Sequence, residues 1–174
     1  YTAHMLEQAR KNAKEYGQHP CFLEMDASAL TFSDASFEVV VSRNLTWNLP
    51  EPEKAYREWL RVLAEGGTLL VYDANWYGYL YDDAKRDAYE KDRLHTAELG
   101  VKDEYEGTDI DAMEAIARKA PLSGTMRPQW DEQVLKRLGT RKILCDEAVW
   151  KKVWSKEEQV NFSATPMFEI IAIK

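Results

Sequence analysis

Two apolar runs, Phe37 to Ser42 and Thr68 to Tyr72, bracket a helix-forming stretch, and this spacing limits the fold more than any other feature of the chain. The first run holds three consecutive valines, Val39-Val40-Val41, without polar alternation, the pattern of a parallel strand buried on both faces. Between the runs, "PEPEKAYREWLRVLAEGG" reads as a helix. Pro52 suits its first turn, and Glu51 and Glu53 sit beside its positive end. Ala55, Trp59, Leu60 and Leu63 trace an apolar stripe, and Gly66-Gly67 is the expected stop. Strand, helix and strand joined by tight connections form a βαβ unit with a right-handed crossover.

Upstream, "YTAHMLEQARKNAKEYG" predicts a helix with Thr2 as N-cap. Met5, Leu6, Ala9 and Ala13 fall at helical spacing, and Gly17 stands at the C-terminal stop. Cys21 to Met25 reads as a short strand and Asp26 to Ser36 as a loop. Downstream, "YGYLYDDAKRDAYEKDRLHTAELG" is charged and helix-forming, with aromatics clustered at its start. Ile110 to Lys119 follows an Asp109 cap, and a loop with Pro121, Gly124 and Pro128 comes next. Trp130 to Leu138 is a helix stopped by Gly139, and Lys142 to Cys145 and Met167 to Ile173 are strands. The chain therefore divides into a core part over 1–77, a helical insertion or lid over 78–127, and a completion of the core over 128–174.

Composition excludes several functions. The chain has 174 residues, enough for one domain with a core, and 45% of them are apolar against 30% charged. Lys and Arg total 23 against 30 Asp and Glu, a net charge of −7, which argues against non-specific binding to nucleic acid or an anionic membrane. The two cysteines, Cys21 and Cys145, lie in no zinc-ligand spacing and fit a reducing compartment. His4, His19 and His95 form no metal-ligand pattern. No apolar run approaches the roughly 20 residues that span a bilayer, and no signal peptide is visible, so the reading is cytoplasmic.

Three stretches carry a family resemblance: "MLEQAR", "MDASALTFSDASFEVVVSR" and "AYREWLRVLAEGGTLLVYDANWY". In this order and spacing the chain resembles the class I S-adenosylmethionine-dependent methyltransferases of small-molecule type, over nearly all its length except the insertion. The resemblance implies an α/β, Rossmann-like methyltransferase sheet with strand order 3-2-1-4-5-7-6, ending in a strand inserted antiparallel. It implies S-adenosyl-L-methionine as cofactor and a small-molecule acceptor. The family's glycine-rich loop and its ribose-binding acid would both precede Tyr1, so the resemblance implies an N-terminally truncated sheet. Val39-Val40-Val41 would then lie on an exposed edge and promote self-association.

Candidate cofactor-binding residues follow from the same resemblance: Tyr1, Met5, Asp26, Ala27, Arg43 and Asn44. Asp26 would accept a hydrogen bond from the adenine amino group, and the next backbone N–H would meet the ring. The physical argument agrees, because ligands of open α/β sheets sit outside the carboxyl ends of strands. A plainer role for Asp26 is to cap the Ser28-Ala29 turn.

For the acceptor, "NLTW" (Asn44 to Trp47) is similar to the Asn-x-x-aromatic signature of amino-group methyltransferases, without its prolines. Trp47 is either a pocket wall or a core aromatic. Asn75, Trp76 and Tyr77, in "DANWYGYLYDD", either line a substrate pocket or anchor the cover helix. The sulfonium is already activated, so in-line positioning is the main task, and His95 is a candidate base where the acceptor must lose a proton. Two other readings stand beside this one: a non-catalytic binding or regulatory module that keeps the scaffold, and another Rossmann-like enzyme such as a nicotinamide dehydrogenase.

Overall fold

A computed structural model describes residues 3–174; Tyr1 and the Thr2 cap lie outside the described residues. The elements run α1 (Ala3–Glu15), β1 (Phe37–Arg43), α2 (Pro52–Val62), β2 (Leu63–Asp73), α3 (Asp83–Glu98) and α4 (Ile110–Ala117). They continue with α5 (Gln129–Arg137), β3 (Lys142–Asp146), α6 (Trp150–Val153), α7 (Lys156–Asn161) and β4 (Phe168–Ile173). The sheet order is β1-β2-β4-β3. β1 is parallel to β2, as the βαβ pattern requires, and β4 runs antiparallel to both neighbours. This matches strands 4-5-7-6 of the resembled fold, including the inserted terminal strand.

The core lies where α2 and α5 cover one face of the sheet. Ala55, Tyr56, Trp59 and Leu60 of α2 meet Val134 and Leu135 of α5 over Leu69, Val71, Phe168, Ile170 and Ala172. Burying each large apolar side chain contributes about 1.5–3 kcal/mol. A second cluster joins Val149, Trp154 and Met167 to Tyr72, Trp76, Trp150 and Phe162.

Several local expectations are met. Gly17 adopts φ +65°. Its N–H bonds to Lys14 O and the Gln18 N–H to Ala13 O, the paired bonds of a Schellman stop. The Asp109 carboxylate caps α4 by accepting from Ala112 N–H at 3.0 Å.

Three others are corrected. The helix ends at Val62, not at Gly66-Gly67, because Leu63 is fully buried in the core and pairs with Phe37 as the first residue of β2. The two glycines serve a bulge instead: Gly66 has φ +74°, and a Cβ at Gly67 would lie 2.9 Å from the carbonyl oxygens of Glu38 and Ala64. The run from Cys21 to Met25 forms no strand, since no neighbouring strand meets its backbone among the described residues, and Leu23 is exposed. The run from Phe37 to Ser42 is not buried on both faces. β1 is an edge strand with Val39 51% and Val41 60% exposed, so the edge is present in the described structure.

The segment between β3 and β4 holds two short helices that hydropathy did not reveal. Ser155 and Glu158 form a capping box at the start of α7. α7 and the turn after it interlock with α3 and the loop that follows it. Asp92 of α3 accepts from the Ser163 hydroxyl and from Ala164 N–H. Asn161 donates to Lys102 O and accepts from Glu104 N–H, both at 3.0 Å.

Candidate functional site at the strand ends

The Asp26-Ala27 turn is built by residues far away in sequence. Asp26 Oδ1 accepts Ser28 N–H at 2.8 Å, so the turn-capping role is real. The second carboxylate oxygen carries no hydrogen bond among the described residues, and Asp26 is exposed. The Trp59 indole of α2 donates to Ala27 O at 3.0 Å. Glu58 accepts Leu30 N–H at 2.8 Å, and Arg61 grips Glu58, Asp34 and Leu30 O. The Arg61 hydrogen bond holds the Glu58 carboxyl below the usual glutamate range. Three residues of one helix, Glu58, Trp59 and Arg61, thus fix the loop, and only Trp59 stood out in the sequence, as part of the apolar stripe.

At the end of β1, Asn44 takes φ +52°, a conformation asparagine tolerates, and its N–H bonds to Tyr72 O at 2.8 Å. Arg43 is exposed, with Glu158 at 3.8 Å. Met5 lies exposed on α1. The next turn brings Trp47 against Tyr77, ring centroids 5.4 Å apart, both rings half-buried. The Trp47 N–H donates to Asp73 Oδ2 at 3.1 Å, so one carboxylate ties the β1 and β2 ends together.

The remaining aromatics pack away from this pair. Trp76 packs on Phe162 and Trp154, and Tyr79 stacks on Tyr89 of α3 at 4.2 Å. Asn75 donates to Thr125 O at 3.2 Å and tethers its loop to the turn before α5. Burial raises the Tyr77 hydroxyl above the usual tyrosine range, which keeps it a neutral donor. His95 is exposed in the last turn of α3, 3.9 Å from Glu98, and the structure does not bring it to the strand-end residues.

Sequence reasoning missed a buried charge cluster at the end of β2. Asp73, Arg127 and Asp131 have no exposed side-chain surface, and Arg127 contacts both carboxylates. Tyr56 donates to Asp131 Oδ1 at 2.6 Å. Burial drives the Asp73 carboxyl up, and the Arg127 charge opposes that shift. A cavity of about 240 Å³ opens beside Arg127, lined also by Asn75, Tyr79, Lys85, Thr165 and Phe168. The one signal in the sequence was an arginine four residues before an aspartate at the edge of a predicted helix.

S-adenosylmethionine, the cofactor implied by the resemblance, fits what the chain offers at one end. An exposed carboxylate oxygen beside a small residue, on a turn fixed from outside, suits an adenine amino group. No group of three or more metal-ligating side chains exists among the described residues.

Residues 1–71 match a family described as a methyltransferase domain. Over 69 residues the chain is 44% identical to demethylmenaquinone methyltransferase of Thermus thermophilus, covering 40% of this chain and 31% of that protein. Over 73 residues it is 36% identical to phosphatidylethanolamine N-methyltransferase of Cereibacter sphaeroides, covering 41% and 36%. The matches span about a third of those curated relatives. A solved S-adenosylmethionine-dependent methyltransferase from Thermotoga maritima shares the fold, with TM-score 0.56 at 16% identity over 97% of this chain and 70% of that one.

Residues 1–71 are thus similar in sequence to a methyltransferase domain, and the described chain shares the Rossmann-like fold of solved S-adenosylmethionine-dependent methyltransferases. The two curated relatives bear the names of different acceptors, a quinone and a phospholipid.

Proposed function

We propose that this chain supplies the adenine contact and the acceptor wall for methyl transfer from S-adenosylmethionine to a small molecule in the cytoplasm. The observation that carries the reading is the Asp26-Ala27 turn, pinned by Trp59 with one carboxylate oxygen open to a ligand. The cofactor, when bound, supplies an activated methyl group. Asp26 and the Ala27 backbone hold the adenine, with Arg43 and Asn44 at the next strand end. Trp47 and Tyr77 exclude water and orient the acceptor, which is where in-line displacement gains most of its rate. Tyr77, as a neutral phenol, donates a hydrogen bond and does not act as a base. The insertion over 78–127 works as a cover, with α7 as its partner on the core side. The exposed β1 edge supports self-association, and the free cysteines support a reducing compartment.

The test is transfer of a labelled methyl group from S-adenosylmethionine to small-molecule fractions by the full-length protein. Trp47→Ala and Tyr77→Ala are expected to lower transfer by about 10- to 100-fold while cofactor affinity stays within about threefold. Equal loss of cofactor affinity would contradict the division of roles.

A further inference from the structure

We propose that Arg127 is a positioning residue: by binding Asp73 and Asp131 at once, it fixes the loops that carry Trp47 and Tyr77. The proposal rests on the reading of those two rings as the acceptor wall. Arg127 is where the insertion rejoins the core, and its guanidinium is fully buried. Its Nε and Nη2 donate to both oxygens of Asp131, at 2.8 and 2.7 Å, the bidentate fork that only arginine makes. Its Nη1 lies 3.1 Å from Asp73 Oδ2 and 3.4 Å from Ala74 O. Asp73 in turn accepts the N–H of Trp47 at 3.1 Å and of Ala74 at 2.9 Å. Tyr56 of α2 and the Phe168 ring, 5.1 Å from the guanidinium, complete the surroundings.

Stability alone does not explain this arrangement. Two buried carboxylates share one guanidinium, and replacing buried ion pairs with apolar groups is often neutral or stabilising. What the charges provide is geometry. A rigid planar fork held on α5 fixes the position of Asp73, and Asp73 fixes two backbone amides. One of those amides belongs to Trp47, and the other begins the loop to Tyr77. A lysine at 127 would keep the charge but could not span both carboxylates in this geometry.

The experiment compares parent, Arg127→Lys, Arg127→Met and Asp73→Asn in the full-length protein by amide nuclear magnetic resonance. In both arginine variants the Trp47 and Ala74 amide signals are expected to shift, while those of Leu69 and Ile170 stay in place. A pH titration followed at the Trp47 amide adds a readout that packing alone would not move. Without the Arg127 charge, which opposes the upward push of burial, the Asp73 midpoint is expected to rise in Arg127→Met, and Asp73→Asn to show no such transition. Folded variants with unmoved Trp47 and Ala74 signals, or with shifts spread evenly over the sheet, would overturn the proposal. Should Arg127→Met not fold, Arg127→Lys and Asp73→Asn carry the same comparison of signals. Binding of S-adenosylmethionine, measured alongside, reports on the functional reading separately, because the amide shifts need no ligand.

Discussion

Trp59 combines two roles that a hydropathy pattern cannot separate. Its ring fills the core, and its indole N–H holds Ala27 O at 3.0 Å. Trp59→Phe keeps most of the bulk and removes the donor. It is expected to cost about 1 kcal/mol, read as a lower urea midpoint at unchanged slope; an unchanged midpoint would show that the bond carries no weight. Glu58 adds a pH signature. Its folded pKa is lowered by Arg61, so its stabilising contribution is complete above the ordinary glutamate value and is lost as pH falls through the folded value. Glu58→Gln should therefore flatten the acid side of a stability–pH curve. Asp73 has the opposite sign, because burial raises its carboxyl and protonation favours the folded state as pH falls. The Asp26-Ala27 pair was legible in sequence as a turn with an available acceptor. The Trp59, Glu58 and Arg61 clamp was not, because periodicity assigns a residue to a helix face without naming what it meets 30 residues away.

Among the elements, those with strong local signals were legible: the Gly17 stop, the Asp109 cap, α5 before Gly139, and the terminal strand with its alternating burial. The failures came where a partner decides the outcome. Cys21 to Met25 has strand composition but no strand beside it, and Leu63 leaves the helix because a strand position in the core takes it. The capping box at Ser155 is written in "SKEE", but no long apolar run follows it to mark a helix. α3 and the turn after α7 meet through Asp92, whose carboxylate takes the Ser163 hydroxyl and Ala164 N–H. Asp92→Ala is expected to destabilise this contact by about 1–3 kcal/mol. Hydrogen exchange should then speed up in α3 and α7 together while β2 and β4 stay protected. Uniform acceleration through the sheet would make the insertion part of the core and not a separately opening cover.

For the whole molecule, β1 leaves Val39 and Val41 exposed at the sheet edge, and such an edge invites pairing with another chain. The 174-residue chain is expected to show a mass that rises with concentration in light scattering, and Val39→Lys with Val41→Lys to return it to a monomer. A concentration-independent monomer would count against the edge as a contact surface. The central claim, that the Asp26-Ala27 turn reads the adenine of S-adenosylmethionine, is tested most directly by titration calorimetry of the full-length protein. Asp26→Ala should weaken binding by about 1–3 kcal/mol, roughly 5- to 150-fold, and Glu24→Ala, exposed in the same segment, should leave it unchanged. Equal affinity in the parent and Asp26→Ala, or no binding by the parent at all, would contradict it.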